Sequence, residues 1–217
     1  MSSNAVTCCD RWMLVRAHGF TIDRGSALHA DVELDARGGL PAFSIVGLSG
    51  GAARDARERV QAALLNSGFG FPRRRLTANV APAASPRSAP SFDLALACCV
   101  LAVQDQIDPG RLARIGLFAE LGLGGDLRPR PCAAAAAQAA AAAGLAGLVV
   151  ARADLETARD DGALAIVGLN RLSEVAGLLV SQSGRVRSAA SGGAPPLAAA
   201  DHAPGARRSA GGAVRRP

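Results

Sequence analysis

From Leu28 the chain reads Leu-His-Ala-Asp-Val-Glu-Leu-Asp, a strict alternation of apolar and polar residues that predicts a strand with one face buried. Residues 14–22 read as the strand before it, and Arg37-Gly-Gly as the turn after it. Phe43-Ser-Ile-Val-Gly-Leu is nearly all apolar and predicts a third, buried strand. Over residues 51–67 the period changes to helical, with Ala56, Val60, Ala63 and Leu64 recurring at spacings of three and four. Arg54, Asp55, Arg57, Glu58 and Arg59 fall on its wet side, and Gly68 is placed to close it.

A basic triplet, Arg73-Arg74-Arg75, leads into a strand over 76–81, and a Pro-, Ser- and Ala-rich loop runs to Ser91. Residues 92–103 are apolar on nearly every side, as an interior helix would be. Asp108-Pro109 starts a short helix, because proline is tolerated in a first turn. A strand over 117–123 turns at Gly124-Gly-Asp and returns at Leu127-Arg-Pro. An Ala-rich helix over 133–143 ends at Gly144, a buried strand follows at 148–151, and Asp154 caps a short helix. A strand over 163–167 and a helix over 172–180 complete the periodic part. Strands and helices interleave without regular βαβ units, which favours an α+β fold over a doubly wound one.

Composition sharpens this picture at four points. Aromatic residues make up 3% of the chain, so the core must be built from Ala, Leu and Val, and nothing suggests a base-stacking platform. All 24 cationic Lys+Arg residues are Arg, so chemistry needing a lysine amine, as general base, Schiff-base former or P-loop phosphate ligand, cannot run on these residues. The net charge of +6 is concentrated in residues 182–217, where Arg185, Arg187, Arg207, Arg208, Arg215 and Arg216 face a single acid, Asp201. The remainder is nearly neutral, and the basic pI describes the tail rather than a nucleic-acid-binding fold. Five cysteines, Cys8, Cys9, Cys98, Cys99 and Cys132, show no metal-ligand or disulfide spacing and read as free thiols in a reducing compartment; no metal or cofactor is expected.

The tail loses all apolar periodicity and is expected to be disordered. Residues 1–12 read as an extension, 13–181 as one domain and 182–217 as the tail. No apolar run has the length of a membrane span, and residues 1–10 lack a signal peptide's basic and apolar regions, so a cytoplasmic protein with no membrane partner is expected.

Five stretches in order carry a resemblance: Gly39-Leu-Pro-Ala-Phe-Ser-Ile-Val-Gly-Leu, Leu64-Leu-Asn-Ser-Gly-Phe, Ala78-Asn-Val-Ala-Pro-Ala, Phe92-Asp-Leu-Ala-Leu-Ala and Glu120-Leu-Gly-Leu-Gly-Gly-Asp-Leu-Arg-Pro. Residues 13–180 resemble the N-terminal part of the ComM/YifB group of bacterial proteins, also called magnesium-chelatase-like. In that group a Lon-protease-like domain precedes an AAA+ motor. The resemblance implies a Lon proteolytic-domain fold of mixed α/β layers. It also implies a role in DNA processing during natural transformation, where a ring-forming motor drives branch migration. Two loops depart from the family pattern, at Ser49-Gly50-Gly51 and at Ala83-Ala-Ser-Pro-Arg-Ser-Ala-Pro. No Gly-x-x-x-x-Gly-Lys-Ser/Thr loop occurs, so ATP hydrolysis is not expected, and a truncated or stand-alone domain is the expectation. Its expected partners are a second copy of itself or a full-length AAA+ paralogue.

Laying Ala89-Pro-Ser-Phe-Asp-Leu on the Lon-type nucleophile pattern places Ser91 at the nucleophile. The same alignment puts the catalytic lysine near 132–134, where only Cys and Ala occur. Without a base a serine hydroxyl is a weak nucleophile. His18, His29 and His202 are the only histidines that could substitute; His29 reads as a surface or edge residue, and His202 lies in the tail. The plainer reading makes Ser91 the N-cap of the following helix. Asp93 reads as a helix-dipole partner, and Glu120 as pairing with Arg128 across its hairpin.

A catalytically inert accessory domain acting through protein contacts is thus expected first. An ATP-independent serine peptidase using Ser91 is the alternative. Arg73, Arg74, Arg75, Arg207, Arg208, Arg215 and Arg216 are the candidate polyanion contacts, by which DNA would be held weakly and in a salt-sensitive way.

Overall fold

The computed structural model describes residues 13–84, 89–159 and 164–180; the expected N-terminal extension (1–12) and Arg-rich tail (182–217) lie outside the described residues. Strands β1 (Met13–Asp23) and β2 (Ser26–Arg37) form a long antiparallel hairpin with His18 opposite Asp31 and Phe20 opposite His29. Its two-residue turn holds Arg24 at φ 46° and Gly25 at φ 87°, the positive angles a turn must take to match the strands' twist. Strand β3 (Ala42–Val46), helix α1 (Gly50–Asn66) and strand β4 (Arg75–Ala81) make a crossover unit, with β3 parallel to β4 and β4 antiparallel to β2.

Helix α2 (Asp93–Val103) and the short α3 (Pro109–Leu112) lead to β5 (Ile115–Phe118), which runs parallel to β1. After a two-stranded ribbon, β6 (Glu120–Leu121) with β7 (Leu127–Arg128), come α4 (Ala133–Ala142) and β8 (Gly147–Ala151). Then α5 (Leu155–Ala158), β9 (Ala165–Leu169) and α6 (Leu172–Leu178) follow. The main sheet has seven strands in the order β3-β4-β2-β1-β5-β8-β9. Its centre is antiparallel, while β5, β8 and β9 run parallel across helical connections. The expected α+β class holds, with a mixed sheet.

Side chains alternate across β1 and β2, so each strand serves two layers. On one face Val15, Ala17, Val32 and Leu34 join Val60 and Leu64 of α1 and the whole of α2 in the larger core. On the other, Phe20, Phe118, Leu148 and Val150 pack on Ala133, Ala136, Ala137 and Ala140 of α4. All eleven residues of α2 are buried, the ten from Leu94 to Val103 as their unbroken apolar character predicted. Cys98 and Cys99 lie among them, and burial pushes the Cys98 thiol up to about 12. Helix α1 buries the four residues its period named and ends in a Schellman motif: Gly68 N–H donates to Leu65 O (3.1 Å) and Phe69 N–H to Leu64 O (2.9 Å). Asp108 caps α3 by accepting from Gly110 and Arg111 N–H.

Three expectations need correction. Among the described residues strand β3 is an edge strand, paired with β4 alone, and Val46 is half exposed; its apolar run covers the flank of α1 and Phe71 rather than lying inside the sheet. The strand expected over 117–123 divides at Ala119 into β5 of the main sheet and β6 of the ribbon, because the chain leaves one ladder for another there. Asp154 does not cap α5; its Oδ2 accepts from the Arg130 backbone N–H at 2.8 Å instead. Among the described residues no helix is long and apolar enough to cross a membrane.

Candidate functional site

Ser91 sits in a single 3₁₀ turn, Ala89–Phe92, that feeds α2. The expected N-cap role fails, because the cap position belongs to Phe92, already helical at φ −95°, ψ −9°, and no side chain caps the helix. Ser91 is instead fully buried, and its Oγ has no hydrogen-bond partner among the described residues. The turn is pressed onto β1 at Gly19, where an added Cβ would lie 2.8 Å from the Phe92 ring.

Two residues on, Asp93 is wholly buried and gripped by Arg59 of α1: Nε donates to Oδ2 at 2.6 Å and Nη2 to Oδ1 at 3.1 Å. Arg59 therefore does not lie on the wet side of α1 but reaches inward, an outcome the helical period alone could not show. Burial pushes the Asp93 carboxyl up to about 7, against the downward pull of the Arg59 guanidinium. Arg59 itself is held above its usual range by the Asp93 hydrogen bond. The charges of Glu120 and Arg130 reach the same pair, and Arg130 Nη1 donates to Glu120 Oε2 at 3.3 Å. Glu120 and Arg128 are opposite each other in the ribbon, as expected, but Arg128 pairs with Asp126 at 3.0 Å, leaving Arg130 as the partner of Glu120.

The cluster thus holds two guanidinium groups and two carboxyl groups, with Arg59 bonded to Asp93 and Arg130 to Glu120. Beside it a cleft of ≈ 370 Å³ is lined by Ser49, Gly51, Asp55, Arg59, Ala89 and Pro90. Of the stretch aligned with the catalytic lysine, Ala133 is buried against the opposite face of the sheet, with Phe20 and Phe118.

His18 and His29 cannot serve Ser91. They occupy the face of the β1–β2 hairpin opposite Gly19, whose side of the sheet meets Phe92, so the sheet separates them from the 3₁₀ turn. The hairpin does bring them to each other and to Asp31: His29 Nε2 lies 2.9 Å from His18 Nδ1, and Asp31 Oδ1 lies 3.1 Å from His18 Nδ1. His29 is held below its usual range by burial and by the charge of His18, with Asp31 opposing. The alternation of β2 puts His29 and Asp31 on one face, but only the strand register brings up His18, eleven and thirteen positions away. Arg73, Arg74 and Arg75 stand at the entrance of β4, with Arg73 and Arg75 exposed. His202, Arg207, Arg208, Arg215 and Arg216 lie outside the described residues.

Residues 32–154 match the family model described as subunit ChlI of Mg-chelatase. The chain is 40% identical over 97 residues to competence protein ComM of Haemophilus influenzae, covering 45% of this chain and 19% of that protein. It is 34% identical over 173 residues to a protein named YifB of Salmonella typhimurium, covering 78% of this chain and 33% of that one. An uncharacterized protein of Mycobacterium tuberculosis is 32% identical over 171 residues, 79% of this chain and 34% of its own length. The matched part therefore spans about a third or less of these relatives. With the family model covering more than half of the chain and the relatives agreeing on one group, this chain belongs to the magnesium-chelatase-like ComM/YifB family.

Proposed function

We propose that these residues supply a catalytically inert, Lon-protease-like accessory domain of a ComM/YifB-type AAA+ DNA-processing protein, and that it acts through protein contacts. The buried Ser91 carries this reading. A nucleophile must reach a substrate carbonyl and pass its proton to a base, yet this hydroxyl is fully covered, and no lysine exists to serve it. The nearby acid, Asp93, has both oxygens committed to Arg59. An internally paired cluster at the head of the central helix does what a structural tie does: it fixes α1 against α2. One relative is named a competence protein, which agrees with DNA processing during natural transformation, where the motor implied by the resemblance would drive branch migration.

The partner in this reading is a family member carrying the AAA+ motor, or a second copy of the chain. Mixing the purified chain with a motor-bearing relative and following both by size-exclusion chromatography tests it. Co-elution of the wild type and of S91A to the same extent is expected, and separate elution of the wild-type chain at concentrations well above the micromolar range would contradict the docking role.

A further inference from the structure

We propose that His18, His29 and Asp31 form a binding site for a divalent transition-metal ion of the zinc class on the face of the β1–β2 hairpin opposite α2. Three donor atoms converge there, with His18 Nδ1 to His29 Nε2 at 2.9 Å, His18 Nδ1 to Asp31 Oδ1 at 3.1 Å and His29 Nε2 to Asp31 Oδ1 at 3.8 Å. Ligands about 2.1 Å from a tetrahedral zinc ion stand roughly 3.4 Å apart, a separation that these three distances bracket. One ion can touch all three donors and keep a fourth position open.

The imidazole of His18 is set for this role by its other nitrogen. Its Nε2 lies 3.1 Å from the carbonyl oxygen of Ala113, which can only accept, so Nε2 carries a proton and the neutral ring presents its lone pair at Nδ1. That lone pair faces an Asp31 carboxylate oxygen, itself acceptor-only when ionised. Two acceptors at 3.1 Å repel unless a cation or a proton lies between them; without an ion a proton on His29 Nε2, 2.9 Å from His18 Nδ1, occupies the same space between the donors, and a bound ion would replace it.

The frame is rigid. His18 and Asp31 are directly opposed in the ladder, and His29 is opposite Phe20, a fully buried ring that meets the His29 ring edge-on at 6.0 Å. Two imidazoles and one carboxylate suit zinc, nickel, cobalt or copper, whereas magnesium and calcium prefer all-oxygen sets. His18 and His29 are half-buried and Asp31 is exposed, so an ion can enter from solvent.

The test uses the full chain stripped of metal by chelation and then titrated with zinc chloride. Long-range ¹H–¹⁵N spectra of the histidine rings should show His18 Nδ1 and His29 Nε2 shifting together at one equivalent. In equilibrium dialysis H18Q, H29Q and D31N should each weaken retention of that ion more than tenfold, with circular dichroism verifying the fold. Ring nitrogens of His18 and His29 that stay unshifted at saturating zinc would overturn the site. So would zinc retention that H18Q and H29Q leave unchanged, which would assign the ion to the cysteines or His202.

Discussion

Asp93 is the residue on which local electrostatics can be read most directly. Its folded pKa, about 7, lies above the roughly 3.9 of an unfolded aspartate, so between those values the folded state holds a proton that the unfolded chain releases. The contribution of this group is therefore full below about pH 4 and is lost as pH climbs through about 7. Urea midpoints measured across that range should fall more for the wild type than for D93N; equal slopes would show that Asp93 does not titrate there. Arg59→Ala removes both donors from a buried carboxyl and should cost about 2 kcal/mol in the same assay. Ser91→Ala should do the reverse. A hydroxyl buried without a partner loses water's hydrogen bonds for nothing, so its removal should stabilise the fold by about 1 kcal/mol.

The residue scale is also where the sequence was least legible. Ser91 before an apolar helix satisfies every compositional rule for a cap, but the backbone of Phe92 enters the helix one residue later than the rule assumes. Arg59 looked solvent-facing because a helical wheel shows azimuth, not what an adjacent element places over it. Glu120 took Arg130 rather than Arg128 because Arg128, though opposite it in the ribbon, is drawn to Asp126 two residues back on its own chain.

Elements were read far better, because periodicity is a local property and survives without knowledge of neighbours. The α1 stripe, the β2 alternation and the all-buried α2 each followed from spacing alone. What spacing could not supply was pairing: whether the apolar β3 lay at an edge, or where one strand ended and the ribbon began. A single close approach tests the layer arrangement. Gly19→Ala would drive a methyl to 2.8 Å from the buried Phe92 ring, and should cost about 1–3 kcal/mol by overpacking. Gly25→Ala in the hairpin turn meets no atom and should cost only the strain of its positive φ, so the two variants separate packing from backbone effects.

At the scale of the whole molecule the sheet is a partition. One face with α1 and α2 encloses the larger core and the Arg59–Asp93 tie, the other carries the Ala-rich α4 and the histidine trio. Because α2 is buried all round, Leu96→Ala should destabilise by about 3 kcal/mol while keeping one cooperative unfolding transition. The family assignment was legible from ordered motifs, while the trio was not, since it exists only once β1 and β2 are in register.

The reading of the protein as inert rests on a buried serine whose hydroxyl has no hydrogen-bond partner among the described residues. Labelling the intact chain with a fluorophosphonate probe, followed by peptide mapping, tests this most directly. The expected result is no modification of Ser91 in the folded chain and no difference between wild type and S91A. Stoichiometric labelling at Ser91 that S91A abolishes would contradict it and return the peptidase reading to first place.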